Sequence, residues 1–414
     1  YTITGLNPNT FYDFYVTDSC GATDFSGLAG PATAKTECVT TLSGAYTIDT
    51  AGTGANNFTT LDSAVQFLSG CGVSGPVTFT LAANQTWVTG ISLTSVIGAS
   101  STNTVTFQGQ TGSKVMAALG MNEAVLLNGT KYVTLKDMII DGNGFTAIRL
   151  TNNAQYINIE DNLVVADTVG TTSSVTAITA TSSMTSGTAY GNNANHITIS
   201  GNEIKGGYYG IVMNGSSLTS HISDINILNN DLTLQYFYGI RCYYVEDVDI
   251  IGNSFTDARA SGSYGIYAGY CFDFNIEENN LVAKTYALYL YYGNYQVNGL
   301  STQSRVVNNM CSSAGAYGMY AYTPRFVDFY NNTFKGSTYG AYLYSTTSTT
   351  LKSKMWNVQN NIFVGGSNYA VYVPTIPDSI IGWDYNLYNT GGANLARWGT
   401  TNYATLAAWQ TANT

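Results

Sequence analysis

Two groups of residues in this chain could do chemistry. The first is tyrosine, present 33 times in 414 residues and recurring in runs: "YGIYAGY" from Tyr264, "YALYLYY" from Tyr286, "YGMYAYT" from Tyr317, "YGAYLYS" from Tyr339 and "YAVYVPT" from Tyr369. A phenol offers a flat apolar ring and a hydroxyl, a combination that suits a sugar ring or a protein partner. The second is a carboxylate group, Asp247, Asp249, Asp273 and Glu277, the densest acidic stretch of the chain. Paired carboxylates are what glycoside hydrolysis requires, and a lyase would add a Lys or Arg base beside acidic calcium ligands. Strand positions aligned with Asp249 read Asn158, Thr198, Asn226, Asn275, Arg305, Asp328 and Asn357, a mixed set with no acidic ladder. Solvated surface charge is therefore the plainer reading of the acids. His196 and His221 are isolated in sequence, and no nucleophile motif, phosphate loop or CxxC pair occurs. No catalytic residue, cofactor or metal site is expected, beyond at most a structural calcium ion.

The elements that must carry these residues are repeated. Short alternating strands end in asparagine: "INIEDNL", "ITISGNEI", "INILNNDL", "VDIIGNSF", "FNIEENNL" and their successors. The asparagines are Asn162, Asn202, Asn230, Asn253, Asn279, Asn309, Asn332, Asn361 and Asn386, 23 to 40 residues apart. A tyrosine strand lies between successive members. Strand-period patterning with a repeat in the twenties, and no helix-period segment between strands, indicates a solenoid. A right-handed parallel β-helix fits, with coils stacked about 4.8 Å apart. Asn tolerates left-handed turns, and its stacked amides can bond from coil to coil. At one end, "NNFTTLDSAVQFLSG" spaces Leu61, Ala64, Val65 and Leu68 as a helix does, with Thr59 and Asp62 as a capping box. It predicts a cap helix at about 59–69. At the other end "YATLAAWQT" predicts a closing helix at about 403–411. The β-helix is thus expected over 42–414.

Strand alternation predicts which tyrosines face out. Ile240 and Cys242, Ile266 and Ala268, Leu288 and Leu290, Met319 and Ala321, Val371 and Val373 share the core parity. Tyr267, Tyr289, Tyr320, Tyr342 and Tyr372 then point outward. So do Tyr243, Tyr291, Tyr322 and Tyr344, two residues further on. The leading tyrosines, from Tyr209 to Tyr369, share the core parity and are expected at a corner. The outcome is two adjacent columns on one face, unusual on a soluble monomer. Stacking that merely stabilises neighbouring strands would give the same pattern. The longest insertion, "TVGTTSSVTAITATSSMTSGTAYGNNAN", is rich in Ser, Thr and Gly and is expected to project as a flexible loop.

Composition narrows the partners. Charged residues make up 10% of the chain and the net charge is −10. No basic stripe exists for nucleic acid, and no apolar run approaches the roughly 18 residues of a membrane span. The opening stretch, Leu6-x-Pro8-x-Thr10-x-Tyr12 followed by Tyr15-Val16 and later Gly30-Pro31, resembles the second half of a fibronectin type III module. That resemblance covers 1–41 and implies a partial β-sandwich, with Tyr12 as its corner tyrosine. Half a sandwich cannot close its own core, so the chain reads as a piece of something longer. Cys20 and Cys38 flank this region as a candidate disulfide. Cys71, Cys242, Cys271 and Cys311 are expected as buried, inert thiols.

From "GAYTIDT" to "YATLAAWQT" the chain looks like the β-helix domains of very large secreted surface proteins of Bacteroidota. Those stand in tandem with fibronectin-like modules and leave by type IX secretion, and some are gliding-motility adhesins. The resemblance implies an extracellular location, at the cell surface or secreted, and an adhesive or structural role. Implied partners are a glycan or surface protein, neighbouring modules of the same chain, or further copies in a filament. A polysaccharide-degrading lyase or hydrolase is the alternative. Such surface proteins can also carry O-glycans at Asp-Ser/Thr followed by a small or apolar residue. Thr50, Ser63, Thr168 and Ser379 match that pattern.

Overall fold

The computed structural model describes residues 3, 6, 11–19, 21, 23–38, 40–256, 258–295, 303–348 and 350–412. Three long sheets of 13, 14 and 12 strands make a parallel β-helix. One coil contributes Val245–Ile251 to the 14-stranded sheet, Ser254–Thr256 to the 12-stranded sheet and Tyr264–Gly269 to the 13-stranded sheet. The next coil repeats this with Phe272–Glu277, Asn280–Ala283 and Tyr286–Tyr291. Register is kept from coil to coil: Val248 lies beside Phe274, Phe255 beside Leu281 and Ile266 beside Leu288. Like therefore stacks on like inside the tube, and these apolar ladders are fully buried. We call the three sheets the long-strand, short-strand and tyrosine sheets.

Between the long and short strands the chain turns within a couple of residues, and the asparagine ladder makes that turn. Asn202 Oδ1 accepts from the backbone N–H of Asn162 at 3.0 Å and from its Nδ2 at 3.1 Å, while Asn202 Nδ2 donates to Asn230 Oδ1 at 2.9 Å and back to Ile159 O at 2.8 Å. The same pattern runs on through Asn361 to Asn386. The left-handed conformation expected of these asparagines belongs instead to the residue before each one. Asp161, Gly201, Asn229, Gly252, Glu278, Asn308, Asn331, Asn360 and Tyr385 all have φ between 53° and 69°. The ladder asparagine must aim its amide into the tube, and the residue before it absorbs the reversal.

The N-terminal end is closed by a helix, Leu61–Cys71, that buries Leu61, Ala64, Val65, Leu68 and Cys71. Its N-cap is Thr60, not Thr59: the Thr60 hydroxyl accepts from Ser63 N–H at 3.1 Å, and Asp62 takes no part. Asp62 instead accepts from Gln66 Nε2 at 2.7 Å. At the other end the helix Leu406–Ala412 seats Trp409 against Trp383, Trp398 and Tyr388.

Cysteine pairing differs from the sequence expectation. Cys38 is bonded to Cys71, with Cα atoms 5.2 Å apart, so it is not the partner of Cys20 and Cys71 is not a free thiol. Docking the cap helix carries its last residue to the strand-free stretch before Leu42, a contact that sequence spacing does not reveal. Cys20, like Pro8 and Thr10, lies outside the described residues. Cys242, Cys271 and Cys311 are free and buried. Ahead of the β-helix, Phe11–Val16 pairs antiparallel with Ala29–Lys35, and both strands are largely exposed. The parallel long-strand sheet takes up the chain at Leu42–Ile48.

The long Ser/Thr/Gly insertion does not project. Its middle, Thr176–Ala180, is a fully buried strand of the tyrosine sheet. Its remainder folds back over the outer face of that sheet. Arg149 Nη1 donates to the carbonyls of Ser183 (2.7 Å) and Ser186 (3.2 Å), while its Nε pairs with Glu123 at 2.8 Å. A polar composition suggested solvent; here those polar groups satisfy a buried guanidinium.

Candidate functional site

The tyrosine sheet carries the most distinctive surface. In strand after strand, such as Tyr264–Gly269, Tyr286–Tyr291, Tyr317–Tyr322 and Tyr339–Tyr344, the first and fourth residues are part-exposed and the second, third and fifth buried. Two consecutive buried positions break the simple alternation. The cause is the small second residue. A Cβ at Gly265 would stand 2.4 Å from Ala287 O, and one at Gly318 would stand 2.5 Å from Lys335 N. The backbone presses inward there, which swings the leading tyrosine outside. Tyr238, Tyr264, Tyr286, Tyr317, Tyr339 and Tyr369 thus do not stay with the core parity but form an outer column.

Tyr267, Tyr289, Tyr320, Tyr342 and Tyr372 form the second column, ring centroids 4.7–5.0 Å apart from coil to coil. The third holds Tyr243, Tyr291, Tyr322 and Tyr344. It is interrupted at Gly269, where the ring of Tyr243 fills the space a Cβ would need. Just past the strand ends, Tyr244, Tyr270 and Tyr292 add a short fourth column at positive φ. The only sequence signal for it is the doublets Tyr243-Tyr244 and Tyr291-Tyr292.

Ring orientation governs what this face can offer. In the later part of the leading column the planes are nearly parallel, 3° between Tyr286 and Tyr317 and 4° between Tyr317 and Tyr339, whereas Tyr238 and Tyr264 cross at 62°. Second-column rings meet them either edge-on, as Tyr320 does Tyr317 at 77°, or stacked, as Tyr289 does Tyr286 at 20°. Most ring faces are consumed by neighbouring rings, and the surface shows edges and hydroxyls. Burial of this kind disfavours the phenolate. It raises the Tyr264 and Tyr342 pKa to about 12, with neighbouring phenols adding to the effect. Tyr267, Tyr289 and Tyr320 are raised further for the same reasons.

The second column has a defined upper boundary, while the leading column continues one coil further to Tyr209. Arg241 takes the second-column position one coil before Tyr267. Its guanidinium packs 4.9 Å from the Tyr243 ring and donates to Asn214 Oδ1 and, at 3.0 Å, to the Tyr190 hydroxyl. Tyr190 belongs to the folded-back insertion. That loop covers Arg149 and reaches Arg241, where the second column begins.

The acidic residues do come together, on the long-strand sheet. Asp249 sits beside Asn226 and Asn275 in one column and accepts from Asn275 Nδ2 at 2.8 Å. Asp247 and Asp273, both at positive φ, occupy the next column. The Asp247 carboxyl is raised above the usual range, first by partial burial and then by Asp224, Asp249, Asp273 and Glu246. Glu277 pairs with Arg305 at 3.1 Å. His196 bonds Asp224 through Nδ1 at 2.7 Å, and His221 lies 3.6 Å from Glu246. Among the O-glycosylation candidates, Thr50 and Ser63 are exposed, and Thr168 and Ser379 part-exposed. The Ser63 hydroxyl is tied to Thr60, and that of Ser379 accepts from Met355 N–H at 3.0 Å.

Among the described residues no helix is long and apolar enough to cross a membrane. Nor do three or more His, Cys, Asp or Glu side chains gather there as a metal site.

Comparison with known proteins places these features. No curated protein matches the chain. Among solved structures, PfbA, a surface adhesin of Streptococcus pneumoniae, aligns over 80% of this chain and 83% of its own at 15% identity, with a TM-score of 0.42. The A-module of a mannuronan C-5 epimerase from Azotobacter vinelandii aligns over 83% and 93% at 12% identity and 0.45. A lacto-N-biosidase from Eubacterium ramulus aligns over 83% and 67% at 11% identity and 0.41. A family model matches residues 169–369 and is described as periplasmic copper-binding protein (NosD). The three free thiols lie buried in the tube, and burial holds them protonated. Over its central coils, then, this parallel β-helix is similar to the NosD family.

Proposed function

We propose that this chain is an adhesive or structural module that makes its contact through the tyrosine face, with a glycan or a surface protein as partner. The observation that carries the reading is the continuity of the columns, the leading one from Tyr209 to Tyr369 and the second from Tyr267 to Tyr372, with Arg241 at the start of the second. Rings already packed against one another lose little freedom on binding, so their contacts need not offset an ordering cost. The wider setting belongs to the same proposal. It comprises a partial fibronectin-like sandwich over 1–41, a location outside the cell, type IX export, neighbouring modules of a larger protein and self-assembly into a filament.

The test is a glycan array and a surface-protein overlay with the wild type and Tyr289→Ala/Tyr320→Ala. Binding lost in a variant that keeps its circular dichroism spectrum supports the face. Equal binding by both proteins removes the tyrosines from the reading. One observation keeps a second reading in play, the convergence of Asp247, Asp249 and Asp273 on one surface. A polysaccharide-cleaving enzyme would release oligosaccharide and lose that activity in Asp249→Asn.

A further inference from the structure

A groove lies on the long-strand sheet and ends one coil before Asp247 and Asp249. Ser101, Thr104, Tyr132, Thr134, Tyr156 and Asn158 line it, and it continues past His196 and Asp224, enclosing about 340 Å³. Its floor is a register column of short polar side chains: Thr106, Thr134, Asn158, Thr198 and Asn226 on successive coils. Its wall is a second column in which three rings stack face to face. Tyr132 and Tyr156 lie 4.6 Å apart at 1°, and Tyr156 and His196 lie 4.4 Å apart at 2°.

The stack ends at a specific place. Val133 pairs with Val105, so the position next to Tyr132 on the preceding coil is Thr104. Thr104 has no ring, and Ser101 beside it is an exposed serine. The outer face of Tyr132 therefore meets two small hydroxylated side chains instead of another ring. At the opposite end of the stack, His196 is held through Nδ1 by Asp224. Apart from that pair every lining residue is uncharged. Beyond Asp224 the wall continues as Asp247 and Asp273.

We propose that this groove is a binding site for an uncharged oligosaccharide, with one pyranose ring packed against the Tyr132 end of the stack, beside Thr104 and Ser101. A pyranose presents axial C–H groups to an aromatic face and hydroxyls around its rim. The floor supplies donors and acceptors at the coil spacing of about 4.8 Å. The volume lies at the lower end of the ~300–1,000 Å³ usual for small-ligand sites. A protein strand would find no free main-chain edge here, because the strands that form the groove are each paired on both sides. A polyanion such as a uronate chain would run into the carboxylates of Asp224, Asp247 and Asp273 along the wall. The site is independent of the tyrosine face.

The experiment titrates the full chain by calorimetry with cellohexaose, laminarihexaose and mannohexaose, with hexaguluronate as the anionic comparison. At least one neutral hexasaccharide should bind, and hexaguluronate should bind at least about tenfold more weakly. Tyr132→Asn keeps a residue that accepts positive φ and removes the ring; it should weaken binding at least about tenfold. Thr104→Tyr should do the same by filling the space beside Tyr132, while Tyr132→Phe should bind as wild type does. The proposal is overturned if none of the three neutral sugars binds, if the uronate binds best, or if Tyr132→Asn binds unchanged while folded.

Discussion

Asn279 has four side-chain hydrogen bonds, and each reaches another coil. Its Oδ1 accepts from the N–H and Nδ2 of Asn253, and its Nδ2 donates to Ile250 O and Asn309 Oδ1. Alanine there would strand the buried Asn253 N–H and Ile250 carbonyl of the preceding coil and remove one bond to Asn309 of the next, at a cost of about 2–4 kcal/mol. Asn386, the last and only part-buried member, should cost roughly half as much, because no coil follows it in the ladder. Calorimetric unfolding of Asn279→Ala and Asn386→Ala checks this; equal shifts in midpoint would contradict it. The asparagines could be found from their recurrence alone. What could not be found was which residue of each pair takes the left-handed turn, since Asn229-Asn230 and Asn308-Asn309 look alike in sequence. Only the direction of the tube interior distinguishes them.

At the scale of the strand, the tyrosine columns exemplify how a short element departs from ideal alternation. The outward positions of Tyr267, Tyr289, Tyr291, Tyr320 and Tyr322 follow from period two. The leading tyrosines do not, because the glycine or alanine after each one packs backbone against backbone. The resulting lattice should show itself in alkali. Burial raises the pKa of Tyr264, Tyr267, Tyr289, Tyr320 and Tyr342 above the ordinary value of 10.0, so the folded state favours their neutral form. That contribution to stability is fully present below about pH 10 and is lost as pH rises through about 12, where Tyr264 and Tyr342 titrate. Ultraviolet titration should therefore find these phenols ionising late and together with unfolding. Smooth ionisation near pH 10 with the fold intact would show that the columns are more open than described.

For the molecule as a whole, the two ends matter most, because a solenoid's interior coils protect one another and its terminal coils have one neighbour each. The Cys38–Cys71 bond ties the N-terminal cap helix to the chain that enters the tube, across a separation of 33 residues. Cys38→Ser should destabilise that end by about 2–4 kcal/mol and lower the protection of Leu61–Cys71 from hydrogen exchange first. The coils around Asn279 should keep theirs. A non-reducing peptide map should contain the Cys38–Cys71 crosslink; a Cys20–Cys38 crosslink instead would refute the pairing.

The repeat, the parallel β-helix and the outward direction of the second and third tyrosine columns were legible in the sequence alone. Each is a periodic property, and a stacked coil turns sequence period directly into spatial columns. Contacts between residues far apart in the chain were not legible. Cys38 meeting Cys71, the insertion folding back over Arg149, and His196 completing a stack with Tyr132 and Tyr156 all depend on how many residues each coil spends in its loops. His196 is 40 residues from Tyr156, and Tyr156 only 24 from Tyr132, yet each pair occupies adjacent rungs. Loop lengths vary freely outside the tube while the hydrogen-bonded register inside it does not, and so the tertiary structure alone decided which side chains became neighbours.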